Sequence, residues 1–262
     1  YDHTAIIWNF ADGKKLHTLT THKYSVSGVS WSPNGKMLAT GSIDNTVKIW
    51  DVATGKDLHT LRLTGAVYPV AWSPDGKMLA SGDDSNEVVI WNPTTWIKLF
   101  GFKIKGDLGI SRLAWRHDSR LLASTAYSGN GIEVWDISQK HDAKVTGQKI
   151  HNLEVRGTVR GLCWSPDGVE LAAAGSGAEV TVWGDFDSGP DISKVVLDAI
   201  GLSEEKATAK ALGKILKLDL SKKGLESTRG LGKFENLKIL DLSDNKITSL
   251  RGLRTLSKLG YL

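Results

Sequence analysis

Cysteine, methionine and proline are scarce in this chain, at one, two and six of 262 residues. The lone Cys163 cannot form an internal disulfide and no Cys/His cluster has zinc spacing, so a reducing compartment and no metal are expected. No apolar run approaches the ~18 residues of a membrane span. No basic-then-apolar leader opens the chain and no Asn-x-Ser/Thr acceptor occurs in it, so neither membrane insertion nor secretion is expected. An excess of one charge is lacking too: 33 Lys+Arg stand against 29 Asp+Glu. What the chain has in quantity is glycine, 28 residues, and tryptophan, 10 residues, a mixture that suits short strands joined by tight turns.

The tryptophans are periodic. Trp31, Trp72, Trp115 and Trp164 close near-copies of one apolar strand at spacings of 41, 43 and 49 residues, and Trp8, Trp50, Trp91, Trp135 and Trp183 close another at 42, 41, 44 and 48. One unit reads as VSGVSW (26–31), the turn SPNGK (32–36), MLATGS (37–42), TVKIWD (46–51), the turn ATGK (53–56) and DLHTLRL (57–63). Each strand alternates or runs apolar and each turn carries Gly, Pro, Asn or Asp, so four strands recur about every 41 residues, the length of one propeller blade.

These units resemble WD repeats, a β-propeller family in which repeats often end in Trp-Asp. The matches are Trp50-Asp51 and Trp135-Asp136, with variants Trp8-Asn9, Trp91-Asn92 and Trp183-Gly184, and SPDGK recurs as SPNGK (32–36), SPDGK (73–77) and SPDG (165–168). The resemblance implies a buried hydrogen-bond network of His22, Thr40, Asp44 and Trp50. The next unit has Ser85 where Asp44 stands, and neither it nor the following two has a histidine ahead of its first strand, so weaker networks are expected there.

Beyond Trp183 tryptophan vanishes and GDFDSGPD (184–191) reads as a linker. ISKVVLDAIGL (192–202) fits either the outer strand of a last blade or a capping helix, and SEEKATAKALG (203–213) fits a helix with Ser203 as N-cap. From Ile215 a 22-residue period aligns Ile215/Leu237/Leu259, Leu218/Leu240/Leu262, Leu220/Leu242, Leu225/Ile247, Leu231/Leu253 and Phe234/Leu256. LKILDLSDNKI (237–247) resembles the leucine-rich repeat, and its length the type found in a regulatory subunit of protein phosphatase 1 and an axonemal dynein light chain. Asn245 then holds a turn by side-chain hydrogen bonds. Lys223 stands at that place one repeat earlier, where a less ordered turn is expected.

The fold class expected is therefore mainly β: an incomplete propeller of fewer than five visible blades at 1–189, a linker and helical cap at 190–211, and a short α/β leucine-rich solenoid at 212–262. Both repeat arrays read as truncated, because such propellers usually close with seven blades and solenoids need about three repeats.

Catalytic signals are few. The seven histidines share no metal spacing, no G-x-x-x-x-G-K-[ST] or G-x-S-x-G occurs, and Asp83-Asp84 and Asp241/Asp244 fall where these repeats put turn or surface residues. No enzyme activity and no cofactor are expected. The basic excess is local: 191–262 holds 14 Lys+Arg against 9 Asp+Glu, leaving 19 against 20 elsewhere, and no aromatics interleave it, which argues against nucleic acid.

Protein partners fit the shapes. The resemblance places a partner-binding mouth at the start of each first strand, at Ser27, Tyr68, Ser111 and Arg160. Period-two alternation puts Lys217, Asp219, Ser221, Ile239, Asp241, Ser243 and Tyr261 on the open face of the leucine-rich strands. Trp96, outside both tryptophan series, is either interblade packing or an exposed anchor in the strand 94–102. The function read from the sequence is a non-catalytic scaffold for one or more proteins, located in the cytoplasm or on cytoskeletal or ciliary structures. The alternatives are the regulatory arm of a larger enzyme, a ciliary assembly component, or a nucleic-acid-associated factor.

Overall fold

A computed structural model describes residues 2–128, 131–137, 140–141, 144–177, 179–184, 186, 193–201, 203, 206, 209–226, 228, 231, 234–247, 253 and 256–260. The chain divides into two compact units, Tyr1–Trp183 and Gly184–Leu262.

The first unit is a row of antiparallel sheets, each a meander because short turns join successive strands. β1 (Ala5–Trp8) pairs with β2 (Lys15–Leu19). β3 (Val26–Trp31), β4 (Met37–Ser42), β5 (Thr46–Asp51) and β6 (Asp57–Arg62) form the first full sheet. β7 (Val67–Trp72), β8 (Leu79–Asp83), β9 (Glu87–Trp91) and β10 (Lys98–Lys103) form the second. The third has β11 (Asp107–Trp115), β12 (Leu121–Ser128) and β13 (Gly131–Asp136), then a separate hairpin of β14 (Lys140–His141) and β15 (Lys144–Val145), and closes with β16 (Gln148–Glu154). A last sheet of β17 (Val159–Trp164), β18 (Glu170–Gly175) and β19 (Val180–Gly184) has three strands among the described residues. The arrangement is propeller-like.

The core lies between sheets, because a half-apolar strand pattern needs a neighbouring sheet to cover each face. Ala39, Val47 and Ile49 of the first full sheet are buried with Val67, Val70 and Trp72 of the second, and Ala80, Val88 and Ile90 of the second with Ile110 and Trp115 of the third. The first strands approach so closely that a Cβ on Gly28 would lie 2.2 Å from the Tyr68 carbonyl oxygen. Tryptophans then tie the rows: Trp115 Nε1 donates to the Ala71 carbonyl and Trp164 Nε1 to the Ala114 carbonyl, each at 3.0 Å. Trp96 sits in the turn before β10 with φ 57°, not in a strand, and packs its ring edge-on against Trp72 at 6.0 Å and beside His59 at 4.9 Å. It is a packing residue.

Inside the first full sheet one hydrogen-bond chain joins β4 and β5 to the segment ahead of β3. Trp50 Nε1 donates to Thr40 Oγ1 at 2.8 Å. The Thr40 proton therefore goes to His22 Nε2, 2.7 Å away, which leaves the Nδ1 proton for Asp44 at 2.9 Å. Asp44 also accepts from the Lys23 amide and the Thr46 hydroxyl. The second sheet keeps the indole tie, Trp91 to Ser81 at 2.8 Å, and replaces the acid with Asp83, which accepts from Thr64, Ser85 and the Glu87 amide. Asp83 is 0% exposed, which corrects its expected place on a turn or surface. In the third sheet Ser124 takes the place of Thr40 opposite the third strand but donates to the Glu133 carbonyl, and Trp135 Nε1 has no partner. Trp135 stacks on Phe102 at 3.9 Å instead.

In the second unit, 192–202 resolves as helix over α1 (Ser193–Ala199), not as a blade strand, and α2 (Ala209–Leu212) follows. Glu204 and Glu205, expected in a helical first turn, lie outside the described residues. β20 (Lys217–Asp219) and β21 (Ile239–Asp241) pair in parallel with Lys217 opposite Ile239, a 22-residue offset. Val196, Leu197, Leu218, Leu225, Phe234, Leu237 and Leu240 share the core beneath them.

Thr40→Val removes the hydroxyl between two buried groups, so a loss of about 2–4 kcal/mol is expected in urea unfolding, against about 1–2 for Ser81→Ala, which strands only Trp91. The pH dependence follows from the same chain. Burial holds His22 below its ordinary 6.5 against the pull of Asp44. Burial pushes Asp44 up, but the Thr46 hydroxyl, the Lys23 amide and His22 together hold it down at about 2. Both protonated forms are disfavoured in the folded state, so their contribution is complete above pH 6.5 and declines as the pH falls, through His22 first and Asp44 between 3.8 and about 2. The stability difference between the native chain and His22→Gln, measured by urea unfolding, should therefore narrow from pH 7 to pH 5.

Candidate functional site

The four residues expected at the propeller mouth share one structural device. In β3 the register shifts between Val26 and Gly28, in β7 between Val67 and Val70, in β11 between Ile110 and Arg112, and in β17 between Val159 and Gly161. Ser27, Tyr68, Ser111 and Arg160 therefore all stand in β-bulges, where two or more residues oppose fewer on the partner strand and a side chain is re-aimed. Their environments differ. Ser27 is exposed, though its hydroxyl donates to the Val67 carbonyl at 2.5 Å. Tyr68 is half-buried, with its ring edge against Tyr127 at 5.5 Å. Burial first, then the nearby Asp84 charge, pushes the Tyr68 phenol above its ordinary value. Arg160 is exposed, and its carbonyl accepts from Arg112 Nε at 2.6 Å.

Ser111 is the exception. It is 1% exposed and its hydroxyl donates to the Thr125 carbonyl, so it offers nothing to a partner. β11 also carries a second bulge, between Asp107 and Ile110, which the other first strands lack. Arg112, which also donates to the Ser111 carbonyl, and Tyr127 are the residues that sequence counting missed. The lengthened strand β11 was the only signal for them.

In the second unit Lys217, Asp219, Ile239, Asp241 and Ser243 are exposed, Ser221 is half-buried, and Leu218, Leu220 and Leu240 alternate inward. Ile239 is 40% exposed among charges. Tyr261 lies outside the described residues. Asp219 accepts from the amide and hydroxyl of Ser221, and Asp241 from those of Ser243, which lowers both carboxyls. Asn245 spans two turns: Oδ1 accepts from the Lys223 and Leu225 amides at 3.1 and 2.9 Å, and Nδ2 donates to the Leu220 and Leu242 carbonyls at 2.8 Å. The Lys223 turn is thus held by the asparagine of the following repeat, which supplies the bonds its own lysine cannot make.

Among the described residues no group of three or more His, Cys, Asp or Glu is placed to hold a metal ion, and no helix is long and apolar enough to cross a membrane. The sheets and their bulged first strands define a repeat protein.

Comparison with known proteins agrees on the repeat. The profile of the WD domain, G-beta repeat, matches residues 13–51, 55–92 and 147–184, so the chain contains three WD repeats. Each match starts near an outer strand and ends one residue past the third-strand tryptophan of the following sheet. The unmatched stretch between them holds the irregular β11, the inserted hairpin and the untied Trp135. The chain is 44% identical over 43 residues to a subunit of chromatin assembly factor 1 from Gallus gallus, and equally to its counterpart from Mus musculus, covering 16% of this chain and 8% of each relative. It is 29% identical over 172 residues to protein HIR1 of Cryptococcus neoformans var. neoformans, covering 65% of this chain and 16% of that one. The chain thus spans less than a fifth of these relatives' length. Relatives named for chromatin assembly overturn the expected cytoplasmic, cytoskeletal or ciliary location and point to the nucleus.

Asn245→Ala removes two acceptor and three donor contacts at once. It should cost the second unit about 2–4 kcal/mol, seen as faster hydrogen exchange at the Leu225 amide, while the Val47 and Val89 amides of the first unit keep their protection.

Proposed function

We propose that this chain is a non-catalytic scaffold that holds protein partners on the mouth of its WD-repeat sheets and on a leucine-rich face, within a nuclear assembly. The observation that carries the reading is the row of bulged first strands. Ser27, Tyr68 and Arg160 stand in the bulges of three of the four first strands, where Tyr68 is braced by Tyr127 and the Arg160 side chain is exposed, so one row of strands carries both an aromatic and a guanidinium. Tyr and Arg are the residue types that dominate binding energy at protein interfaces.

The leucine-rich reading of 212–262 is part of the proposal, with 1–189 as the propeller and 190–211 as linker and cap. It is supported by the parallel 22-residue register and by the Asn245 bridge between successive turns. Of the leucine-rich positions, Ile239 flanked by Lys217 and Asp241 offers an apolar step within a polar rim. The relatives named for chromatin assembly support a partner from that process.

Affinity capture with the full chain tests this. Tyr68→Ala/Arg160→Glu should lose one partner by about tenfold or more in recovery, and Ile239→Ala/Asp241→Lys should lose another, with both variants melting as the native chain does. Retention of every partner by both folded variants would end the two-surface reading.

A further inference from the structure

The third full sheet carries a charge that its fold does not require. In the first sheet Lys48 pairs across from Thr40, and its ammonium is held by Asp57 and Thr60. At the equivalent place in the third sheet, across from Ser124, stands Glu133, with Lys149 of β16 as its cation at 3.3 Å. The signs have exchanged strands. Glu133 Oε1 accepts from Lys149 and from the Lys105 amide at 3.2 Å, whereas Oε2 is buried and has no hydrogen-bond partner. The Glu133 side chain is 4% exposed while Lys149 is 37% exposed, so the anion is shielded from water and its cation is not.

A buried carboxylate oxygen without a donor is costly, and native interiors seldom leave one. Glu133 also forms part of the wall of a cleft of about 920 Å³, together with Lys105, Ser128, Asn152, Glu154 and Arg156. The first sheet has His22 ahead of its first strand, closed onto Thr40 and Asp44. The segment ahead of β11 reads Lys105-Gly106 and supplies no such ring. A second cleft of about 330 Å³ shares Glu154, Val155 and Arg156 and adds Glu179. An extended peptide crossing 154–156 would thus meet three carboxylates: Glu133, Glu154 and Glu179.

A carboxylate only accepts, so the missing group must be a donor, and a cationic donor makes the stronger bond. We propose that the cleft receives a lysine or arginine side chain of a basic partner peptide, with Glu133 as its acceptor. Lys105 and Arg156 are exposed on the same walls and oppose this charge, so discrimination rests on the buried Glu133 and not on the general field of the rim. None of Ser27, Tyr68 and Arg160 lines the cleft, and the inference stands apart from the scaffold reading.

The test is fluorescence anisotropy of the full chain with labelled hexa-arginine and hexa-glutamate, joined to the amide NMR shift of Lys105, whose N–H donates to Glu133. Hexa-arginine should bind and move the Lys105 amide, and hexa-glutamate should do neither. Glu133→Gln should weaken hexa-arginine binding by about tenfold or more, and Asn152→Trp, which fills the cleft from an exposed position, should do the same with an unchanged melt. Tyr68→Ala/Arg160→Glu should leave the binding as it was, which separates this site from the mouth. The idea is overturned if native chain does not bind hexa-arginine, if Lys105 does not respond, or if folded Asn152→Trp binds as the native chain does. Should Glu133→Gln fail to fold, Asn152→Trp decides.

Discussion

A four-stranded sheet of six-residue strands has two faces and no thickness of its own, so each sheet here is stable only against the next. That constraint governs the first unit. The buried residues lie between neighbouring sheets, and the closest approach is between first strands, where Gly28 leaves room for the Tyr68 carbonyl. The indoles of Trp115 and Trp164 turn contact into direction, because each donates to the carbonyl just before the preceding sheet's tryptophan. The 41–49 residue spacing of that series is the spacing of sheets along the row.

Within a sheet the second tryptophan series does the same work from third strand to second, and the work diminishes along the chain. The first full sheet links Trp50, Thr40, His22 and Asp44 in one line of donors and acceptors, whereas the second splits this into an indole pair and an Asp83 cluster. The third loses it, and Trp135 is held by stacking alone. A one-directional hydrogen bond specifies an angle and stacking specifies only a plane, so the third sheet has the greatest freedom to vary. It is here that the inserted hairpin, the lengthened β11 and the reversed Glu133–Lys149 pair occur, and the first three strands of this sheet fall in the stretch that the WD-domain profile leaves unmatched. Departure from the repeat and a candidate binding cleft coincide in the sheet least constrained by it.

The bulges connect architecture to recognition. A bulge interrupts the ladder of a first strand and re-aims the side chain that stands in it. Ser27, Tyr68 and Arg160 occupy such interruptions and are exposed or half-buried, while Ser111 stands in the matching bulge of β11 and is buried. In the second unit the alternation is undisturbed, and Asp219, Asp241 and Ile239 keep the outward places that period two assigns them.

Strand positions were legible in the sequence because their causes are local. VSGVSW, MLATGS and TVKIWD fold as β3, β4 and β5 at the limits read from alternation and turn residues, and the 22-residue register of β20 and β21 follows from aligned leucines. The residues of the first sheet's hydrogen-bond line, and Asn245, could be named because a repeat places the same residue in the same setting each time. The sequence alone could not tell that Ser193–Ala199 is helical, that Trp96 turns inward at positive φ, that Asp83 is sealed while its neighbour Asp84 is open, or that Ser111 is buried. Each of these depends on bulges and on strands some 15 to 40 residues away, whose effect on a side chain's direction is not carried by its own neighbours in the chain. Local periodicity therefore determined which segments are strands, and tertiary packing decided which of their polar side chains meet water and which, like Glu133, are left within the fold still short of a donor.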